Sequence, residues 1–227
     1  MERQSIETDQ VAAFFRVLYT TRALRRLKPE PVPEEVLFQL IDAAIRAPSG
    51  QNVQDWRFIV VTDAAIKRLM QEAATAAWAR YQPRFAEQPE LMDEMPRTKR
   101  LSLKATAHLA RYVGNAPAVI VACGLQGRHS TPGGSIFPAV QNLLLAARAL
   151  GLGASIFQLA LSPAVVSAIG VPDDYQAYCA IPVGYPEDRP GPVWRRPVRQ
   201  VAFRDGWGEP WPFAESQPDD GCQDRWT

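Results

Sequence analysis

The chain is poor in the residues that mark metal sites, disulfide frameworks, membrane spans and nucleic-acid binders. Cysteine occurs three times, at 123, 179 and 222, and histidine twice, at 108 and 129. An odd number of widely spaced thiols suits neither a disulfide framework nor a Cys-rich metal site. The histidines stand at no ligand spacing with a cysteine or with each other, so no metal is expected. The 25 Lys and Arg balance 24 Asp and Glu, leaving a net charge of +1, and this argues against nucleic acid or an acidic membrane as the main partner. The longest apolar run, residues 118–123, falls far short of the roughly 20 residues that a spanning helix needs. The first residues carry Glu2, Arg3, Glu7 and Asp9 rather than the apolar centre of a signal peptide, and a cytoplasmic protein is expected. No G-x-G-x-x-G follows a strand and no G-x-x-x-x-G-K-[ST] occurs, so neither a Rossmann fold nor a P-loop is indicated. Ser49 lacks the G-x-S-x-G setting of a hydrolase nucleophile. No internal repeat is evident.

What is present concentrates in residues 20–61. Arg22, Arg25, Arg26 and Lys28 place four cations within seven residues. Such a cluster suits a phosphate better than a core, because guanidinium groups grip an oxyanion through paired donors. The prolines of PEPVP hold residues 29–33 out of helix. Pro33, followed by Glu34 and Glu35, fits the start of a helix, where the dipole favours anions. Val36, Leu37, Leu40, Ile41, Ala44 and Ile45 recur on one helical face, and Pro48 ends the pattern. Ser49-Gly50-Gln51-Asn52 is a polar loop of the kind that offers donors to a ligand. Residues 56–61 read as a buried strand.

The remaining elements follow from periodicity and punctuation. Thr8 or Asp9 caps a first helix through Val11, Phe14, Phe15, Val17 and Leu18. Asp63 caps another, with Ile66, Leu69, Met70, Ala73, Ala77 and Trp78 inward. Residues 81–99, with Pro83, Pro89 and Pro96, read as a loop or lid, and residues 98–113 as helix. Residues 117–124 form an apolar strand and 128–135 a turn-rich loop. Residues 137–150 are apolar nearly all round, which predicts a central helix stopped by Gly151 and Gly153. Ser162-Pro163 starts a short helix that Gly170 ends. Residues 177–185 form a further strand, and 198–203 a possible last one. Beyond Asp205 the chain is expected to be weakly ordered or wrapped on a partner, so 1–205 is taken as the domain and 206–227 as a tail.

Several of these strings resemble the nitroreductase family of FMN-dependent flavoproteins. They are Arg22-Ala23-Leu24-Arg25, the prolines of residues 29–33, the run Ala47-Pro48-Ser49-Gly50-Gln51-Asn52-Val53-Gln54-Asp55-Trp56, the helix and turn FPAVQNLLLAARALGLGAS, and Pro182-Val183-Gly184-Tyr185-Pro186. The likeness spans roughly residues 10–205. Ala23 stands where the family usually has Ser, which removes a hydroxyl but leaves the backbone N–H. Asp55 stands where it usually has Pro.

The resemblance implies an α+β fold, with a mainly antiparallel sheet flanked by helices and a C-terminal segment exchanged in a homodimer. It implies FMN held by Arg22, Ala23, Arg25, Arg26 and Arg195 around the phosphate. Pro48, Ser49, Gly50 and Asn52 would lie along the ribityl chain and ring edge, and the backbone of Ile156, Phe157 and Gln158 at the reactive ring atoms. The implied activity is ping-pong oxidoreduction, in which NADPH or NADH reduces FMN and a small electron-poor acceptor such as a nitroaromatic or quinone is then reduced. Position and electrostatics rather than an acid–base side chain carry such chemistry, so no catalytic residue is assigned. Two alternatives within the family are a reductive dehalogenase, for which Lys104 is a weak candidate contact, and the branch that consumes its flavin to make a cobalamin ligand. A flavin store without turnover is the alternative outside catalysis.

Overall fold

The computed structural model describes residues 8–127, 133–187 and 195–216, and the chain divides into two units, Ala23–Arg189 and Met1–Arg22 with Pro190–Thr227. The smaller unit contains α1 (Thr8–Thr20), the helix that its apolar spacing predicts. None of the α1 residues is buried, and Phe14 is 56% exposed.

The larger unit is built on four antiparallel strands in the order β1-β2-β4-β3, where β1 is Arg57–Val61, β2 Ala118–Leu125, β3 Gly153–Ala154 and β4 Tyr175–Gly184. Alternation along β2 sends Ala118, Ile120 and Ala122 to one face and Val119, Val121 and Cys123 to the other. On the first face, these side chains meet α2 (Glu34–Ala44) and α6 (Ile136–Ala149) through Leu37, Leu40, Val140 and Leu143. On the second they meet α3 (Ala64–Tyr81) and α5 (Arg97–Tyr112) through Met70, Trp78, Leu109 and Ala110. A bulge opposite Ala122 and Cys123 leaves Tyr178 without a register partner, so both Tyr178 and Cys179 pack on the first face. Each large aliphatic side chain buried in these layers contributes about 1.5–3 kcal/mol.

Local chemistry sets the helix ends. Asp63 accepts from the N–H groups of Ala65 and Ile66 at 2.8 and 2.9 Å, capping α3 as the sequence predicts. Ser162 Oγ accepts from Val165 N at 3.3 Å at the start of α7 (Pro163–Ala168), and Gly170 beyond it has φ +68°.

Several expectations need correcting. β1 is not a buried strand: only Val61 is buried, and Val60 is 39% exposed, because β1 is the edge of the sheet. The apolar face of α2 is narrower than its pattern suggests, since Ile45 lies past the last turn and is 39% exposed. Residues 81–99 are not an open loop but α4 (Pro83–Glu87), a 3-10 turn at Pro89–Glu94 and the start of α5. Their prolines sit at helix starts, where a missing N–H costs nothing, and Met92 is buried. Gly153 lies in β3 rather than in a helix stop, which Gly151 provides at φ +76°.

In the smaller unit, Val198–Gln200 is a 3-10 turn rather than a strand, as expected of a segment with no strand to pair with. Part of the tail beyond residue 205 is ordered as α8 (Pro212–Glu215), with Ala214 buried. The predicted loop at 128–132, with His129, most of the basic Pro-rich stretch, and residues 217–227 with Cys222 lie outside the described residues.

Candidate functional site

Residues 23–28 run extended alongside the end of the sheet. Leu24 N donates to Ala154 O at 3.2 Å, Lys28 N to Tyr185 O at 2.8 Å and Glu187 N to Arg26 O at 3.1 Å, while Leu27 bridges antiparallel to Pro186. Two glycines allow this approach. A Cβ on Gly153 would stand 2.8 Å from Leu27 Cδ2 and 3.1 Å from Leu24 Cβ, and one on Gly184 would stand 2.8 Å from the Pro117 ring. The segment's apolar side is thereby seated against the sheet end, and its arginines are held at the mouth of a pocket. Arg25 lines a cavity of about 200 Å3 with His108, Tyr112, Asn115 and Glu187. Arg26 lines a larger cleft of about 520 Å3 that shares His108 and Tyr112 with the first.

Burial, and then the nearby Arg26, hold His108 below its ordinary value; Arg111 acts the same way and Glu187 opposes. The lowered value favours the neutral imidazole, and its ring lies 4.8 Å from that of Tyr112, tilted by 45°. Lys104 Nζ reaches Asp93 Oδ1 at 2.5 Å, so a carboxylate already answers its charge.

The loop at 48–54 is held in an uncommon shape. Gln51, Asn52 and Gln54 all have positive φ, at 51°, 55° and 54°. Ser49 Oγ accepts from Gln54 N at 3.0 Å, and Gln54 Nε2 donates to Asn52 Oδ1 at 3.0 Å. Gly50 N donates to Ser135 Oγ at 3.2 Å, which ties the loop to the residue before α6. Pro48, Gly50 and Asn52 are exposed, and Ser49 is half-buried. Asp55, where Pro was expected, is a buried polar residue at 3% exposure.

At the third predicted place, Ile156 is 40% exposed, whereas Phe157 is in the core and donates its N–H to Ala180 O at 2.8 Å. Gln158 Nε2 donates to Tyr178 O at 3.2 Å. Beside them Ser155 is 1% exposed, and its Oγ has no hydrogen-bond partner among the described residues.

The structure thus sets Ala23, Arg25 and Arg26 on one segment that is hydrogen-bonded through Leu24 to Ala154, two residues before Ile156. Arg22 and Arg195 belong to the smaller unit. His108, Tyr112, Asn115, Glu187 and Ser155 were not legible as site residues, because only the fold brings α5 and the end of β4 to Arg25. Among the described residues no group of three His, Cys, Asp or Glu could hold a metal ion, and no helix is long and apolar enough to cross a membrane.

Residues 18–185 match the model of the nitroreductase family. The chain belongs to the nitroreductase family. It is 30% identical over 195 residues to an NADH dehydrogenase of Thermus thermophilus, covering 80% of this chain and 91% of that one. It shares its fold with oxidized iodotyrosine deiodinase bound to FMN and 3-iodo-L-tyrosine, at TM-score 0.68, 24% identity and coverage of 85% of this chain and 98% of that one. The FMN-dependent nitroreductase of Mycobacterium smegmatis in complex with NADPH aligns at TM-score 0.59 and 24% identity, covering 78% of this chain and 89% of that one.

Proposed function

We propose that this protein is an FMN-dependent oxidoreductase that takes reducing equivalents from NADPH or NADH and delivers them to a small electron-poor acceptor. The observation that carries the reading is the pinned segment of residues 23–28, which presents Arg25 to one cavity and Arg26 to the cleft beside it. The residues present fit the cofactor. Arginines suit a phosphate, the rings of His108 and Tyr112 line the cavity beside Arg25, and the Ser155 hydroxyl is a polar atom still to be satisfied.

In this reading Arg25 and Arg26 bind the phosphate; Arg22 and Arg195, the other two arginines that the family resemblance implies for it, fall in the smaller unit. The exposed loop at Pro48, Ser49, Gly50 and Asn52 lies along the ribityl chain. Since Phe157 N–H is used by Ala180, the dipoles for the ring come from the N–H groups of Ile156 and Gln158. Bound FMN supplies two-electron transfer from the nicotinamide to an acceptor such as a nitroaromatic or quinone. The protein's part is to orient both reactants on one face and to hold His108 uncharged beside them.

A homodimer completes the proposal. Phe14 of α1, Phe38 of α2 and Trp207 of the C-terminal segment are 56%, 73% and 94% exposed, apolar side chains that a partner surface can bury. A second copy covers such faces, and exchange of the segment after Arg195 would supply the strand partner that 198–203 lacks.

The test is the visible spectrum of the purified protein, followed by anaerobic mixing with NADPH or NADH. A yellow protein that bleaches rapidly supports the enzyme, and a flavin that ignores both nucleotides supports a store. Arg25→Ala with Arg195→Ala is expected to lower flavin content strongly, because charge-assisted contacts contribute about 1.5–3 kcal/mol each. Unchanged flavin content in that variant rejects the phosphate assignment.

A further inference from the structure

The cleft that Arg26 lines lies between α3, α4 and α5 and holds about 520 Å3, within the range of small-molecule sites. Its floor is apolar: Trp78 and Met92 are buried at 9% and 5% exposure, and Phe85 packs with them. Its rim is cationic. Arg26 and Arg111 flank His108, and both push that imidazole toward its neutral form, which places their positive charge close to it. Lys104, the other cation of the rim, is answered by Asp93. With Arg26 given to the phosphate in the reading above, an apolar floor under the Arg111 guanidinium matches a molecule with a flat or apolar body and one negative group.

We infer that this cleft is a ligand site that binds a small aromatic or aliphatic carboxylate in preference to its uncharged counterpart, with Arg111 as the selecting residue. The site stands apart from the flavin ring of the oxidoreductase reading, whose reactive atoms would lie at residues 156–158, none of which lines this cleft. The guanidinium grips the carboxylate through paired N–H donors while the body of the ligand covers Trp78 and Phe85. The selection requires no change in protonation, since arginine stays charged throughout the working range.

The experiment is equilibrium titration of the purified protein, with its bound complement intact, using 4-nitrobenzoate and 4-nitrobenzamide followed by calorimetry. The carboxylate is expected to bind about tenfold more tightly than the amide, the effect of one partly exposed charge-assisted contact. Arg111→Gln should abolish that preference while leaving amide binding in place, Arg111→Lys should restore part of it, and Phe85→Ala should weaken both ligands alike. Melting temperatures of the three variants check that each is folded. Equal affinity for the two probes, no binding of either, or a preference that survives Arg111→Gln overturns the inference. The visible spectrum of the same sample separates the two failures: a colourless protein that still prefers the carboxylate counts against the cofactor reading, and a yellow protein with no preference counts against the pocket.

Discussion

Gly153→Ala tests whether the seating of the arginine strand matters. The added methyl would stand 2.8 Å from Leu27 Cδ2 and 3.1 Å from Leu24 Cβ, where carbon atoms prefer about 3.5–4.0 Å. Leu27 can swing its terminal methyl aside. Leu24 cannot, because its Cβ is fixed to a backbone whose N–H is bonded to Ala154 O at 3.2 Å. The strand must therefore lift by some tenths of an ångström, carrying Arg25 and Arg26 with it. Overpacking of this kind costs about 1–3 kcal/mol. Urea unfolding should show that loss, and flavin retained per chain after gel filtration should fall as well. Leu27→Ala in the same chain relieves the nearer clash, so the double variant should be less impaired than the sum of the singles. A Gly153→Ala protein with the parent's midpoint and flavin content would refute the reasoning.

Two further outcomes follow from the core and from a cap. Burial raises the thiols of Cys123 and Cys179 to about 11 and about 12, from an ordinary 9.0. An unfolded chain therefore loses these protons first: their contribution is complete below pH 9 and is lost as pH climbs toward 11 and 12, at about 1.4 kcal/mol per thiol per pH unit. Stability of Cys179→Ala measured by urea unfolding should decline less steeply above pH 9 than that of the parent, and equal slopes would count against it. Asp63→Ala removes the acceptor for two N–H groups at the start of α3 and should cost about 1 kcal/mol in thermal unfolding; Asp63→Asn should recover most of it.

The sequence displayed those parts of the fold that local chemistry decides. Asp63, Ser162, Pro33 and the continuous apolar run of residues 117–124 each state their own role, and the structure follows them. Residues 57–61 look as apolar as an inner strand, yet their exposure depends on strand order, which no local pattern encodes. Prolines 83, 89 and 96 punctuate in either direction, as helix breakers or as first residues, and only the packing of Met92 decides. In the candidate site, the motif residues Arg25, Arg26 and Ser49 were legible, while His108, Tyr112 and Glu187 were not. They carry no motif and reach Arg25 only because α5 and the end of β4 meet there.

The left-handed turn at Gln51, Asn52 and Gln54 opposes the intrinsic preference of its residues by about 1 kcal/mol for each side chain that is not Asn. Such a shape persists through outside support, and part of that support is a single hydroxyl on Ser135, 85 positions further along the chain from Gly50. A remote hand therefore steadies this loop, and the contour of residues 49–54 is inherited from the start of α6 as much as from their own sequence.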